Sequence, residues 1–462
     1  MTNPYHWQEF RKETTRKACS LRNRGNWYSQ MMSKPISASL LIGFTCLVAV
    51  AVRARELTLN EALARVESDS LEVLISREAV HQALEQQRQT RSGLLPQVSL
   101  DATQRRNRTA AVGPNLVRAG VTNRFDAQLT ARLDLLNPVN IARYQAAKMA
   151  VDVAELGEVG VRQAVMATVA ETYFAHLRNL ERTILLNDNI ARAKRLLELA
   201  QNQLNAGVAT QIDVTRAEAQ VALAEQARLQ QTTVVQSSAL QLKRLLALDL
   251  NAPLELAPAT LARTLPNGAA VENDALEHRA ELQSARALLE QNELEVRAAR
   301  FARLPSLALL GNYGYATEYA FDDDEAKTWS ASAAFSLPIF DGAETRALTS
   351  YARSRQRAQA LRVRNLEAQI SAELQLAIQD ATSRLAQIGV AETQYTLARE
   401  ELDLAEKRFE QGVADNREMI EAQGRLATAG DNLVEAIYSY NVSRVELARV
   451  SGNVRDILRA TQ

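Results

Sequence analysis

The sequence is short of cysteine, proline, glycine and aromatic side chains, and it has no excess of either charge. Its 462 residues include 2 cysteines, 10 prolines and 17 glycines, and aromatics make up 5%. Lysine and arginine together number 54, as do aspartate and glutamate. That balance excludes the electrostatic footprint of a nucleic-acid binder and any strongly acidic tail. Cys19 and Cys46 both lie ahead of residue 54, so the sequence beyond it offers no disulfide framework and no thiol chemistry. His6, His81, His176 and His278 are too scattered to pair as zinc ligands, and no metal or other cofactor is expected. With no phosphate-binding glycine loop, dinucleotide fingerprint or nucleophile elbow, the chain does not read as an enzyme.

One apolar run stands out near the start. In MMSKPISASLLIGFTCLVAVAVRA, residues 31–54, Lys34 precedes apolar sequence from Ile36 to Val52, which ends at the small-residue site Val52-Arg53-Ala54. This predicts a secretory signal peptide rather than a membrane anchor, because the run is short and is interrupted by Ser37, Ser39 and Thr45. Residues 1–30 read as an upstream extension, with 1–54 removed on export. Thr45 stands where a lipid-acceptor site for Cys46 would want Gly or Ala. The remainder keeps 46 basic and 52 acidic residues, a net charge of −6.

What is abundant is Ala, Leu, Glu, Gln and Arg within 47% apolar residues, the composition of long helices and coiled coils. Two phrases, SGLLPQVSLDATQ at 92–104 and FARLPSLALLGNY at 301–313, share a Leu-Pro that stops a helix and starts an extended segment. Strict alternation follows. Phe125, Ala127, Leu129, Ala131, Leu133 and Leu135 alternate with Asp126, Gln128, Thr130, Arg132 and Asp134. Leu307, Leu309, Tyr313 and Tyr315 share a face of another strand, and Trp329, Ala331, Ala333, Phe335 and Leu337 share one of the next. Four amphipathic strands of about ten residues match what a tilted strand needs to cross a bilayer.

After each strand pair comes a very long helical region without internal proline. The first, from about Ile141 to Ala206, would measure on the order of 100 Å. Ile190, Ala193, Leu197, Ala200 and Leu204 repeat at coiled-coil spacing, and 205 positions later Tyr395, Ala398, Leu402, Ala405 and Phe409 do the same. The returning segments carry Met419, Ala422, Leu426, Ala429 and Leu433, matched by Val214, Ala217, Val221 and Ala224, with Arg228 breaking the series. Between them sit AGVAT at 206–210 and QGVAD at 411–415, whose Gly207 and Gly412 suit the left-handed cap of a helix reversal.

The chain is therefore an internal duplication. Residues 55–250 form the first repeat, with strands about 97–106 and 124–135 and a helical hairpin about 141–248. A connector spans 251–273. Residues 274–452 form the second repeat, with strands about 306–316 and 328–337 and a hairpin about 343–450, before a tail at 453–462. Four strands cannot close a barrel in lipid without leaving unpaired edges, so copies must assemble. Two would give eight strands. Three give twelve, and the polar strand faces favour the wider lumen.

In their order over roughly 400 residues, the Leu-Pro starts, the paired hairpins, GVATQIDV at 207–214, LKRLLALDL at 242–250 and VELARVSG at 445–452 resemble the TolC family of outer-membrane efflux and secretion channels. The resemblance implies an α+β membrane protein of a Gram-negative outer membrane. The implied assembly is a homotrimer whose four strands per chain build a twelve-stranded β-barrel, continued by long antiparallel coiled-coil helices as a periplasmic α-barrel. The implied function is a passive exit duct of a tripartite efflux or type I secretion system. The implied partners are outer-membrane lipid, a periplasmic adaptor and, through it, an inner-membrane pump of RND or ABC type. In that family carboxylates six and nine residues after the second tip glycine ring the closed entrance, which here are Glu418 and Glu421. Asp213 fills the six-residue place of the first half, and Arg216 the nine-residue place. The expected adaptor-contact tips are Gly207, Val208, Ala209 and Thr210 with Gly412, Val413, Ala414 and Asp415. The alternative is a periplasmic coiled-coil adaptor or scaffold without a pore, which four alternating strands and two hairpins argue against.

FDDDEAK at 321–327 lacks the ligand spacing of a calcium loop and reads as a solvated hairpin tip. The other hairpin tip reads as basic, with Arg105, Arg106, Arg108, Arg118 and Arg124, suited either to that acidic loop or to lipopolysaccharide phosphates. Tyr313, Tyr315, Tyr319, Phe321 and Trp329 suit an interfacial aromatic girdle or a cluster packing the loop.

Overall fold

The computed structural model describes residues 56–113, 116–265, 268–320, 326–411, 413 and 416–455. The expected signal peptide and upstream extension lie outside these residues, as do the acidic stretch 321–325 and the sequence from 456. Helices α1 (Leu59–Asp69) and α2 (Leu71–Ser92) lead into β1 (Gln97–Gly113) and β2 (Leu116–Leu136), then α3 (Pro138–Asn205) and α4 (Gln211–Leu245). The second half repeats this order with α5 (Gly268–His278), α6 (Ala280–Phe301), β3 (Ser306–Thr317), β4 (Ala326–Ser336), α7 (Glu344–Glu410) and α8 (Asn416–Val450). Helix α5 begins inside the segment expected to be connector.

Each long helix is started by a local cap. Asn137 accepts from the Asn140 N–H at 3.2 Å and Pro138 occupies the first turn of α3. At α7 the Asp341 carboxylate accepts from the backbone N–H groups of Ala343 at 3.0 Å and Thr345 at 2.9 Å.

At 68 and 67 residues, α3 and α7 are nearly twice as long as α4 and α8, with 35 each. The return helices therefore reach only half way, and α2 and α6 cover the rest. Beside the strands the packing order is α2, α3, α6, α7; beside the helix turns it is α4, α3, α8, α7. Most of the second-half seam is buried in the lower tier, where Ala398, Leu402, Ala405 and Phe409 face Met419, Ala422, Leu426 and Ala429, and Tyr395 and Leu433 at its upper end are half-buried. In the first half Ala193, Ala200, Val214 and Ala217 are buried, while Ile190, Leu197, Leu204 and Val221 are half-buried.

A core between the tiers joins α1, the middle of α3, the end of α4 and the connector, through Leu63, Val66, Tyr173, Phe174, Leu242 and Leu246. The Tyr173 hydroxyl lies 2.9 Å from the Leu57 carbonyl oxygen and 2.6 Å from that of Ala257, straddling a parallel bridge between Leu57 and Leu256. Burial, then the charges of Glu56 and Glu61, push this phenol up to about 12. Nearby, buried His176 of α3 has Nδ1 2.7 Å from Ser238 Oγ of α4. Burial, then the Lys243 charge, hold this imidazole below its ordinary value.

The four strands form one antiparallel sheet in the order β1, β2, β3, β4. Its register aligns Leu100, Leu129, Tyr313 and Trp329 in one row of one face. The other face carries Asp101 and Gln128, then Ser99, Thr130, Asn312 and Ser330. Among the described residues no element covers the apolar face: Leu100 is 76% exposed, Trp329 75% and Phe335 68%. At 17 and 21 residues, β1 and β2 are much longer than the expected ten or so. Arg105, Arg106, Arg108, Arg118 and Arg124 thus lie within the ladder, not at a hairpin tip, and Arg105 stands directly opposite Arg124. The physical reason is that backbone pairing continues through Thr109–Val112 and Val117–Thr122, where side-chain alternation no longer marks a strand.

Candidate functional site

The helix reversals at the far end of the lower tier carry the described members of the expected tips. In the first, the Ala206 N–H donates to the Asn202 carbonyl at 3.0 Å and the Val208 N–H to that of Gln203 at 3.0 Å. Gly207 between them takes a φ of 76°, which a side chain would strain. The second reversal repeats the pattern, with Gln411 N–H to Lys407 O at 3.2 Å and Val413 N–H to Arg408 O at 2.9 Å. Gly412, Ala414 and Asp415 lie outside the described residues. Val208 and Val413, equivalent by the duplication, are 76% and 69% exposed.

Thr210 opens α4 and Asp213 closes its capping box. The Asp213 Oδ2 accepts from the Thr210 N–H at 3.0 Å and from the Thr210 hydroxyl at 2.6 Å. The hydroxyl bond, then the backbone bond, hold this carboxyl below its ordinary value. Arg216, at the departing position of the first half, lies 3.7 Å from the other Asp213 oxygen. Asn416 Nδ2 donates to the Asp213 carbonyl at 2.7 Å, tying the start of α8 to the start of α4. The Asp213 carboxylate is thus engaged in local structure.

Glu418 and Glu421 lie one turn apart on α8 within a lattice of guanidinium groups. Glu418 Oε1 is 3.5 Å from Arg408 Nη1 of α7. Glu421 has one oxygen 2.9 Å from Arg417 Nε and the other 3.9 Å from Arg425 Nη1. Arg425 also reaches back to Glu401 of α7 with two bonds, of 2.6 Å and 2.8 Å. Sequence reasoning found the acids and missed Arg408, Arg417 and Arg425. The four-residue spacing of Arg417, Glu421 and Arg425 was the available signal for two of them. The cross-helix partners Arg408 and Glu401 had none, since only the hairpin brings them near. Chemically the arrangement can lock α8 to α7 while leaving the Glu418 and Glu421 carboxylates half-exposed, at 37% and 49%.

Among the described residues no group of acidic, histidine or cysteine side chains is arranged to hold a metal ion. No described helix is long and apolar enough to cross a membrane.

Comparison with known proteins gives one consistent answer. The family model described as Outer membrane efflux protein matches residues 51–248 and 271–453. The toluene efflux pump outer membrane protein TtgC of Pseudomonas putida is 26% identical over 384 residues, covering 79% of this chain and 77% of its own. Outer membrane protein TolC of Vibrio cholerae is 23% identical over 398 residues, with 84% and 88% covered. The crystal structure of the Campylobacter jejuni CmeC outer membrane channel superposes with a TM-score of 0.74 at 20% identity, over 87% of this chain and 88% of that one.

Proposed function

The chain belongs to the outer membrane efflux protein family, and from that premise we propose that its two helix turns form the gated periplasmic entrance of an outer-membrane exit duct. The duct is passive. An inner-membrane pump delivers substrate through a periplasmic adaptor, and three copies of this chain carry it outward as one member of a tripartite efflux system. The family's members are channels, and no catalytic step is assigned.

The observation that carries this reading is the sheet. It has one apolar and one polar face, and among the described residues β1 and β4 each lack a second neighbour. In lipid such edges leave backbone groups unsatisfied at several kcal/mol each, roughly, so closure with other copies is compulsory. The outermost lower helices agree: α7 exposes Leu376, Val390, Leu397 and Leu404 at heptad positions, and α4 exposes Leu223 and Leu229. Twelve strands then enclose a lumen lined by the face bearing Ser99, Asp101, Gln128 and Thr130.

At the entrance, Glu418 and Glu421 of three copies face the pathway while Arg408 and Arg425 hold each hairpin shut. Exposed Val208 and Val413 await the adaptor, because an apolar side chain beyond the last helical turn has nothing of its own chain to bury against. The test is conductance of the purified protein in a planar bilayer, read with its oligomer mass. Discrete cation-selective steps from a trimer are expected. A monomer or dimer without conductance would favour the adaptor or scaffold alternative.

A further inference from the structure

The ladder register sorts the charges at the outer end of the sheet by face. Toward the hairpin turns, the row of Leu100, Leu129, Tyr313 and Trp329 is followed by Ala102, Ala127, Tyr315 and Lys327, then by Gln104, Phe125 and Thr317. The next two rows on this same face hold Arg106 opposite Asn123 and Arg108 opposite Val121. All three strand aspartates, Asp101, Asp126 and Asp134, stand on the opposite face, where Arg124 and Arg132 bind two of them at 2.8 Å and 3.1 Å. The apolar face thus carries Arg106, Arg108 and Lys327 and no carboxylate in its paired rows. All three cations are exposed, and none has an ion pair among the described residues.

Their height follows from the strand rise. From Leu135 to Phe125 the apolar face of β2 spans ten steps, which at ~3.3 Å each and a tilt of ~40° is about 25 Å, the height of a barrel's lipid-facing band. Arg106 and Arg108 lie about 5 Å and about 10 Å beyond that band on the side away from the helices, at headgroup depth. Lys327 stands in the band's last rows, where its stem can rise to the same level. Closing the barrel sets β4 of one protomer beside β1 of the next, which puts Lys327 on the same seam as Arg106 and Arg108 of the neighbour.

We propose that Arg106 and Arg108 of one protomer, with Lys327 of its neighbour, form a site for the phosphate groups of lipopolysaccharide in the outer leaflet, repeated three times around the barrel. Planar guanidinium groups match phosphate oxygens in pairs, and among the described residues this face carries no strand carboxylate to engage the cations. The aromatic side chains of Tyr313, Tyr315 and Trp329 lie directly below, at the acyl-chain boundary. The proposal rests on the closed trimer.

Native mass spectrometry of the detergent-solubilised trimer tests it, with bisphosphorylated lipid A and its dephosphorylated form as probes. The trimer is expected to retain the phosphorylated form, and Arg106→Gln/Arg108→Gln is expected to weaken retention roughly thirtyfold. Arg106→Lys/Arg108→Lys should retain most of it, and the opposite-face variant Arg105→Gln should retain all of it. Equal binding of the dephosphorylated probe, equal loss in Arg105→Gln, or displacement of lipid A by millimolar inorganic phosphate would each overturn the proposal. The same spectra report oligomer mass, so an intact trimer without bound lipid A would refute this site alone and leave the duct standing.

Discussion

Arg425 of α8 grips Glu401 of α7 edge to edge, with Nη2 2.6 Å from one carboxylate oxygen and Nε 2.8 Å from the other. Its remaining nitrogen lies 3.9 Å from Glu421, so one guanidinium links a carboxylate on its own helix to the helix across the hairpin. Together with Arg408 and Glu418, 3.5 Å apart, this pair staples α8 to α7 just above the turn.

Arg425→Ala removes the staple and frees the lower end of α8. Single-channel recording should show a severalfold rise in the time spent conducting, with Glu401→Gln moving it the same way. The double variant should add little, because both substitutions remove one interaction. Additive effects would separate the two residues and count against the staple.

Glu418→Ala/Glu421→Ala should lower cation over anion selectivity, since each protomer loses two carboxylates from the entrance while keeping Arg408, Arg417 and Arg425. Reversal potentials under a salt gradient measure this directly. An unchanged reversal potential and conductance would remove both residues from the gate.

Val208 and Val413 are the exposed apolar tips, so cysteines there should crosslink to the cognate adaptor. Val413→Asp should impair efflux in cells while leaving bilayer conductance unchanged, because a charge disturbs docking and not the pore. No adduct from either tip would reduce these residues to turns.

Asp213 acts through the α4 cap. Asp213→Ala should destabilise the first turn of α4 by about 1 kcal/mol, read as roughly fivefold faster local hydrogen exchange. Selectivity should change little. The carboxyl titrates below its ordinary value, so the cap is intact above that value and is lost as pH falls through the depressed one.

His176 gives a second handle on acid stability, nearer neutral pH. Its folded-state pKa lies below the ordinary 6.5, so between the two values the unfolded chain binds a proton that the folded chain refuses. Stability is therefore full above about 6.5 and falls as pH drops toward the depressed value. His176→Gln should flatten that slope in thermal unfolding measured between pH 7 and pH 5. A slope retained in the variant would assign it to other groups.

Much of the architecture was legible because it is local and periodic. Alternation from Phe125 to Leu135 marks β2, heptad spacing from Tyr395 to Phe409 marks the seam, and Gly207 marks the reversal, each readable within a dozen or so residues. The outer parts of β1 and β2 escaped because Asn107–Gly113 pairs by backbone and not by side-chain pattern. The site was half legible, through the positions of Glu418 and Glu421 and the spacing of Arg417 and Arg425.

What the sequence by itself determined is the duplicated chain of strands and long helices, because side-chain periods of two and of three and a half reside in consecutive residues. Only the tertiary structure decided that α3 lies between α4 and α8, that Arg408 meets Glu418 and Arg425 meets Glu401, and that Asp213 serves a cap. Those facts depend on which surfaces meet across hairpins and between repeats. Such meetings are set by burying the Leu196, Ala217, Met419 and Leu426 side chains together, and no run of neighbouring residues records them.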